Sequence, residues 1–241
     1  MKKLTQLLIL CFSLGLVSAA NAGDYTLDVS TQGQFVKPQT YHVPPGARIA
    51  ALTSHWQLKT DAYPLGIALT REQDKLQQSR IRWALQYRLQ DMHLASITRT
   101  SFYRQITSFV ATGRVLWQFD WDLVDIKPKQ NRPLIQGDTF IAPKRPSSII
   151  AGGAASIAKI PFKGGMTVRD YMQSVHRLPG ADPSYVWVIT PDTKIRKIGV
   201  SYWNAQKAYL APGSVLYVPL SGHKDFNDSM AQLYAAQILP Y

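Results

Sequence analysis

"LIQGDTFIAP" spans residues 134–143 and "LAPGSVLYVP" spans 210–219. Each runs Leu, then Gly three places on, then a short apolar run, then Pro. Their upstream partners also match. Aligning Gly46 with Gly165 sets "TYHVPPGARIAAL" (40–52) on "KIPFKGGMTVRDY" (159–171), pairing Tyr41 with Ile160, Val43 with Phe162 and Ile49 with Val168. In both copies an alternating stretch suited to a half-buried strand leads through a Gly turn into a helix-like start. The upstream offset is 119 residues and the downstream offset, Gly137 to Gly213, is 76. One unit therefore occurs twice, and the first copy carries an insertion of about the 43-residue difference.

The insertion falls where composition turns Gln- and Arg-rich, at about 62–113. Ile81, Leu85, Leu89 and Met92 recur with helical spacing, as do Phe102, Ile106, Phe109 and Val110, with Gly113 as a stop. The spacing predicts an antiparallel helical hairpin packed on itself. "RVLWQFDWDLVDI" alternates Val115, Trp117, Phe119, Trp121 and Leu123 against Gln118, Asp120 and Asp122, the pattern of a strand. "YVWVIT" and "TKIRKIGV" read as strands across a Pro191-Asp192 turn. At the end, Phe226, Met230, Leu233, Tyr234 and Ile238 form one helical stripe. Asp225 or Asn227 is a candidate cap and Pro240 a stop. Its polar face lacks Lys and Arg, so packing on the chain's own domains is expected rather than a membrane surface. The fold class is α+β: two small sheet-and-helix domains at 23–145 and 146–221, the hairpin in the first, and an amphipathic helix at 222–241.

The N-terminus reads as an export signal over residues 1–22: Lys2 and Lys3, an apolar run from Leu7 to Val17, and a small-x-small site at Ala20-Asn21-Ala22. Leu10 stands before Cys11 where lipid modification needs a small residue, so a lipoprotein is not expected. Cleavage removes the single cysteine, excluding disulfides and thiolate metal sites. It leaves 25 Lys+Arg, from the total of 27, against 15 acids. Such a basic surface favours anionic partners. Export points to the periplasm and away from nucleic acid, and no transmembrane segment is expected after cleavage.

Little else reads as chemistry. The five histidines lack zinc-protease spacing, and Glu72 is the only glutamate, which rules out a paired-Glu glycosidase. Neither a nucleophile elbow nor a phosphate loop is present, and no cofactor is expected. Asp120, Asp122 and Asp125 form the one acidic cluster. It is readable as solvated strand positions or as an oxygen-ligand or two-carboxylate site. Arg114, following Gly113 at the junction of hairpin and aromatic strand, could grip a carboxylate or phosphate, or make a structural pair with Asp120. Trp117, Phe119 and Trp121 are expected in the core, with sugar stacking as the alternative, and Tyr202-Trp203 reads the same way.

The signal, the duplicated unit, the hairpin and the terminal helix together resemble a known family. "Pro-Gly", "Gly-Asp-x-x-x-x-Pro", "TGRVLWQFD" and "LIQGDTFIAPKRPSSI" look like the soluble-ligand-binding β-grasp domains of outer-membrane polysaccharide export lipoproteins. They are closer still to the GfcC-type family of group 4 capsule and exopolysaccharide biosynthesis. One departure is Gly213-Ser214 where the unit usually has Gly-Asp. The resemblance implies a periplasmic, non-enzymatic accessory that binds acidic surface polysaccharide, or assembles with an outer-membrane lipoprotein and a β-barrel protein. Arg114 and Asp120 are its candidate ligand residues. The alternatives are a glycan-modifying enzyme using Asp120 and Asp122, and a purely structural docking protein.

Overall fold

A computed structural model describes residues 25–240; the leader reading of residues 1–22, with Cys11, lies outside them. In chain order the elements are β1 (Leu27–Gly33), β2 (Thr40–Val43), α1 (Ala50–Thr53), β3 (Ala68–Thr70), α2 (Glu72–Asp91), α3 (Ser96–Ser108) and β4 (Thr139–Ala142). Then follow β5 (Ser148–Gly153), β6 (Ala158–Pro161), α4 (Val168–Met172), β7 (Tyr185–Ile189), β8 (Ile195–Gly199), β9 (Val215–Val218) and α5 (Lys224–Ala235).

The two sheets repeat one plan, giving a two-domain α+β fold. The first has order β2-β1-β4-β3 and the second β6-β5-β9-β7-β8. In each, an antiparallel hairpin (β1–β2, β5–β6) precedes a short helix, and the closing strand returns parallel to the first (β1–β4, β5–β9). The repeated phrase is that closing strand with its entry turn. Gly137 and Gly213 both take φ near +80° (81° and 79°), a conformation open to Gly at little cost. Both amides then donate to the opening strand region, at Asp28 O and Ser148 O. Ile49 and Val168, paired by the sequence alignment, are both fully buried.

Strand registers locate the insertion. Thr70 and Ile189 occupy the same place beside the closing strand, an offset of 119. Their partners Arg114 and Ile195 are offset by 81. So 38 of the extra residues lie in the hairpin and the other five lie between Arg114 and Gly137, where the offset has fallen to 76. The hairpin replaces the tight β7–β8 turn and begins at Arg71. Its closure depends on Gly113, whose φ is +74° and where a Cβ would lie 2.4 Å from Arg71 O.

The aromatic stretch departs from the strand expectation. Arg114 bridges Thr70 and Val115 N donates to Leu69 O, but the ladder stops there, because β3 has three residues and offers no longer partner. Alternation still sorts the side chains: Phe119 and Val124 are buried, and Val115, Trp117 and Trp121 pack beside them. Trp56 centres this core, against Phe35, Phe119, Phe140 and Trp121. The sequence pattern reported a face, and the backbone pairing it suggested stops at Val115.

The hairpin does not pack chiefly on itself. Leu85, Leu89, Phe102, Ile106 and Phe109 share the core of the second domain with β5, β7, β9 and α5. α3 ends at Ser108, and Phe109 to Thr112 return extended, so Gly113 closes the loop rather than the helix. All four β9 residues are buried, which requires cover on both faces of that strand. The Tyr217 hydroxyl donates to Asn227 Oδ1, so α5 covers one of them. Asn227 is not the expected cap: its side chain is buried and also joins Leu220 N and O.

A buried ion pair roots the hairpin. Asp138, fully buried, accepts from Arg71 Nε at 2.8 Å and Nη2 at 3.0 Å, and from Ile135 N at 3.1 Å. The equivalent Ser214 accepts only the turn amide, Ala211 N, at 3.2 Å. The acid is present where the hairpin is present, because the cation it balances is the hairpin's first residue. Removing one partner of such a pair strands the other. Asp138→Ala is expected to cost roughly 3 kcal/mol in urea unfolding, whereas Ser214→Ala costs about 1 kcal/mol.

Candidate functional site: the Arg114 cavity

Two buried glutamines set the site by acting on backbone. Gln78 of α2 accepts from Gly113 N at 2.9 Å and donates to Arg114 O at 3.0 Å. Gln105 of α3 accepts from Gly153 N at 2.7 Å and donates to Gly153 O at 2.9 Å, fastening the hairpin to the end of β5. The Tyr234 hydroxyl of α5 donates to the same Gln105 oxygen at 2.6 Å, and burial raises its pKa. A side-chain amide that accepts from one backbone N–H and donates to a carbonyl of the same or the next residue satisfies donor and acceptor together, so these contacts fix position as well as distance.

Arg114 then crosses between the domains. It is 4% exposed, and its guanidinium donates to Gln237 O at 2.8 Å, to Ala235 O at 3.4 Å and to Pro191 O. The first two carbonyls lie at the end of α5, where the last turn leaves acceptors unpaired and favours a cation. The third is in the β7–β8 turn. Desolvation lowers the Arg114 pKa to about 10, with Asp192 acting in the opposite sense, so the group stays charged at neutral pH. Neighbouring residues extend the clamp: the Thr112 hydroxyl donates to Ala236 O, Gln237 pairs with the Val110 backbone, and Lys144 N donates to Pro240 O.

Beside this clamp lies a cavity of about 310 Å³ between hairpin, second sheet and tail. Its walls include Phe109, Ile150, Ile157, Ile189 and Leu239, with Arg114 as the charged group. The volume is at the lower end of small-molecule sites, at roughly 300–1,000 Å³. The structure does not bring Asp120 into an ion pair with Arg114. Asp120 is exposed, begins the 3₁₀ turn Trp121–Leu123, and accepts from Asp122 N at 3.2 Å. Among the described residues no group of three His, Cys, Asp or Glu side chains could hold a metal ion.

Sequence reasoning missed Gln78 and Gln105, since polar residues within an amphipathic helix give no sign of being latches. It also missed the tail carbonyls, which carry no side-chain signal. Replacing Arg114 leaves three carbonyls without their charged donor. Arg114→Ala is therefore expected to lose roughly 3 kcal/mol in chemical denaturation, with Arg114→Lys recovering part of it. A loss below about 0.5 kcal/mol contradicts the clamp.

Residues 156–239 match the family described as Capsule biosynthesis GfcC C-terminal. An uncharacterized protein of Escherichia coli (strain K12), YjbG, is 36% identical over 119 residues. That match spans 49% of this chain and 49% of the relative, so the chain covers about half the length of this curated relative. The matched family region runs from the start of β6 through the tail clamped by Arg114 and includes cavity walls from Ile157 to Leu239. The likeness to the capsule biosynthesis GfcC C-terminal family thus lies in the second domain and the terminal helix.

Proposed function

We propose that the chain serves in the periplasm as a non-catalytic accessory of capsule or exopolysaccharide export, with the Arg114 cavity as its ligand site. The observation that carries this reading is a charged guanidinium kept in the wall of a largely apolar cavity, whose other walls, from Ile157 to Leu239, fall in the region that matches the capsule family. Sugar rings suit such a site, because their C–H faces pack on apolar walls while their oxygens take the few polar groups. The leader reading of residues 1–22 supports export. Among the described residues no helix is long and apolar enough to cross a membrane. Asp120 is occupied as a turn cap, so a hydrolytic role for it draws no support from its surroundings.

Assembly with an outer-membrane lipoprotein or β-barrel protein is the second reading, favoured by one observation. Leu76, Trp83 and Tyr87 are all exposed and lie along one side of α2. Cavity and helix face separate by mutation. Ile150 lines the cavity and is partly exposed, so Ile150→Trp should fill it with a stability change below about 1.5 kcal/mol. Polymer export in cells should then fall several-fold. Undiminished export with that variant, together with loss in Trp83→Ala/Tyr87→Ala, would turn the assignment to protein docking.

A further inference from the structure

The outer edge of the second sheet carries a surface that neither the clamp nor the cavity uses. β8 ends that sheet, and its first three residues, Ile195 to Lys197, are exposed. From Thr193 to Pro212 the chain holds Lys194, Arg196, Lys197 and Lys207 and no Asp or Glu. Among the described residues none of these four cations is in an ion pair. The nearest acids along the chain and across the β7–β8 pair are engaged. Asp182 accepts from Ser184 N and Tyr185 N, and Asp192 accepts from the Thr190 hydroxyl.

Aromatic rings stand among the cations. Tyr202 is 92% exposed and Trp203 70%, far from the core position expected of them, and Tyr209 is also exposed. The register Trp187↔Lys197 and Tyr185↔Gly199 puts Tyr185 and Lys197 on one face. Lys197 Nζ sits 3.7 Å from the Tyr185 ring centroid, and Trp203 meets Tyr185 edge to face at 6.2 Å. Lys207 Nζ lies 5.9 Å from the Tyr209 ring. The loop bearing Tyr202 and Trp203 is tied down: Ser201 N donates to Asn204 Oδ1, Asn204 Nδ2 to Ser184 O, and Gln206 N to Gly199 O. Gly199 permits this, since a Cβ there would lie 2.0 Å from Asn204 O. Large apolar rings held mostly in water by a braced loop gain little from burial, so burial does not account for them.

We infer that this β8 edge binds an anionic polysaccharide chain, with Trp203 and Tyr202 stacking on sugar rings and Lys194, Arg196, Lys197 and Lys207 pairing with carboxylates along the polymer. Charge complementarity selects the class: four unpaired cations call for a repeated anion, and the ring faces call for a flat partner with C–H groups. The inference rests on the export reading only for where the polymer comes from. Binding is tested on the purified protein, independently of the Arg114 cavity.

The test is calorimetric titration with soluble polygalacturonate at low and at 0.5 M salt, with dextran and phosphatidylglycerol vesicles as controls. Trp203→Ala/Tyr202→Ala should weaken polygalacturonate binding about five- to tenfold at both salts. Lys197→Gln/Lys207→Gln should weaken it at low salt and flatten the salt dependence. Both variants should melt with wild type, since all four side chains lie outside the buried core. The inference is overturned by an absence of polygalacturonate binding, by equal binding of dextran, by variants that melt normally and bind like wild type, or by binding to vesicles alone. Should these variants bind normally while Ile150→Trp still lowers export, the β8 surface fails and the cavity stands.

Discussion

One guanidinium joins the parts of this molecule. Arg114 is attached to the first sheet through its bridge to Thr70, to the hairpin through Gln78, and to the end of α5 and the β7–β8 turn through its own nitrogens. Burying a cation costs several kcal/mol unless its donors are satisfied. Here three backbone carbonyls from the second domain supply the acceptors. The penalty is therefore offset only while the second domain and the tail are in place. The hairpin emerges from the first sheet yet supplies core residues to the second. Both features make each domain's stability depend on the other, and both place the cavity where hairpin, sheet and tail meet.

The duplication explains how such coupling arose without a new fold. Each copy makes the same sheet with the same parallel closing strand, and the large difference is what joins the third strand to the edge. In the second copy a tight turn suffices. In the first, a helical hairpin leaves at Arg71 and returns at Gly113, and its root requires a counter-charge. Asp138 supplies it, while Ser214 keeps only the turn-amide contact that both copies share. The Gly-Ser of the second copy, where the first has Gly-Asp, thus has a physical reason: without a basic residue at that root, a buried carboxylate would be uncompensated.

Much of this organisation was legible in the sequence. The paired phrases, the 119- and 76-residue offsets and the helical stripes contain the repeat, the hairpin and the terminal helix, because burial imposes period on side chains. What period cannot convey is the partner. It gave "RVLWQFDWDLVDI" its buried face but not the shortness of β3, which denies it a ladder. Leu85 and Phe102 read as a self-packing seam, since a stripe does not say which surface covers it. Arg114 stood out by position, yet its partners are carbonyls nearly eighty and more residues away, invisible as side chains. Asn227 read as a candidate cap because a buried, fully bonded amide has the same letter as a capping one. Tyr202 and Trp203 read as core by composition, and only the structure shows them in water.

The most direct test of Arg114 as the coupling element is hydrogen exchange measured across the chain in Arg114→Met. Three segments far apart in sequence should lose protection together: the end of α5 with its tail through Pro240, the β7–β8 turn around Pro191, and residues 110–115 at the hairpin's return. The β1–β2 pair, which makes no contact with the guanidinium, should keep wild-type exchange. A rise confined to residues 110–115, with the tail and turn unchanged, would contradict the account and leave Arg114 a local strut.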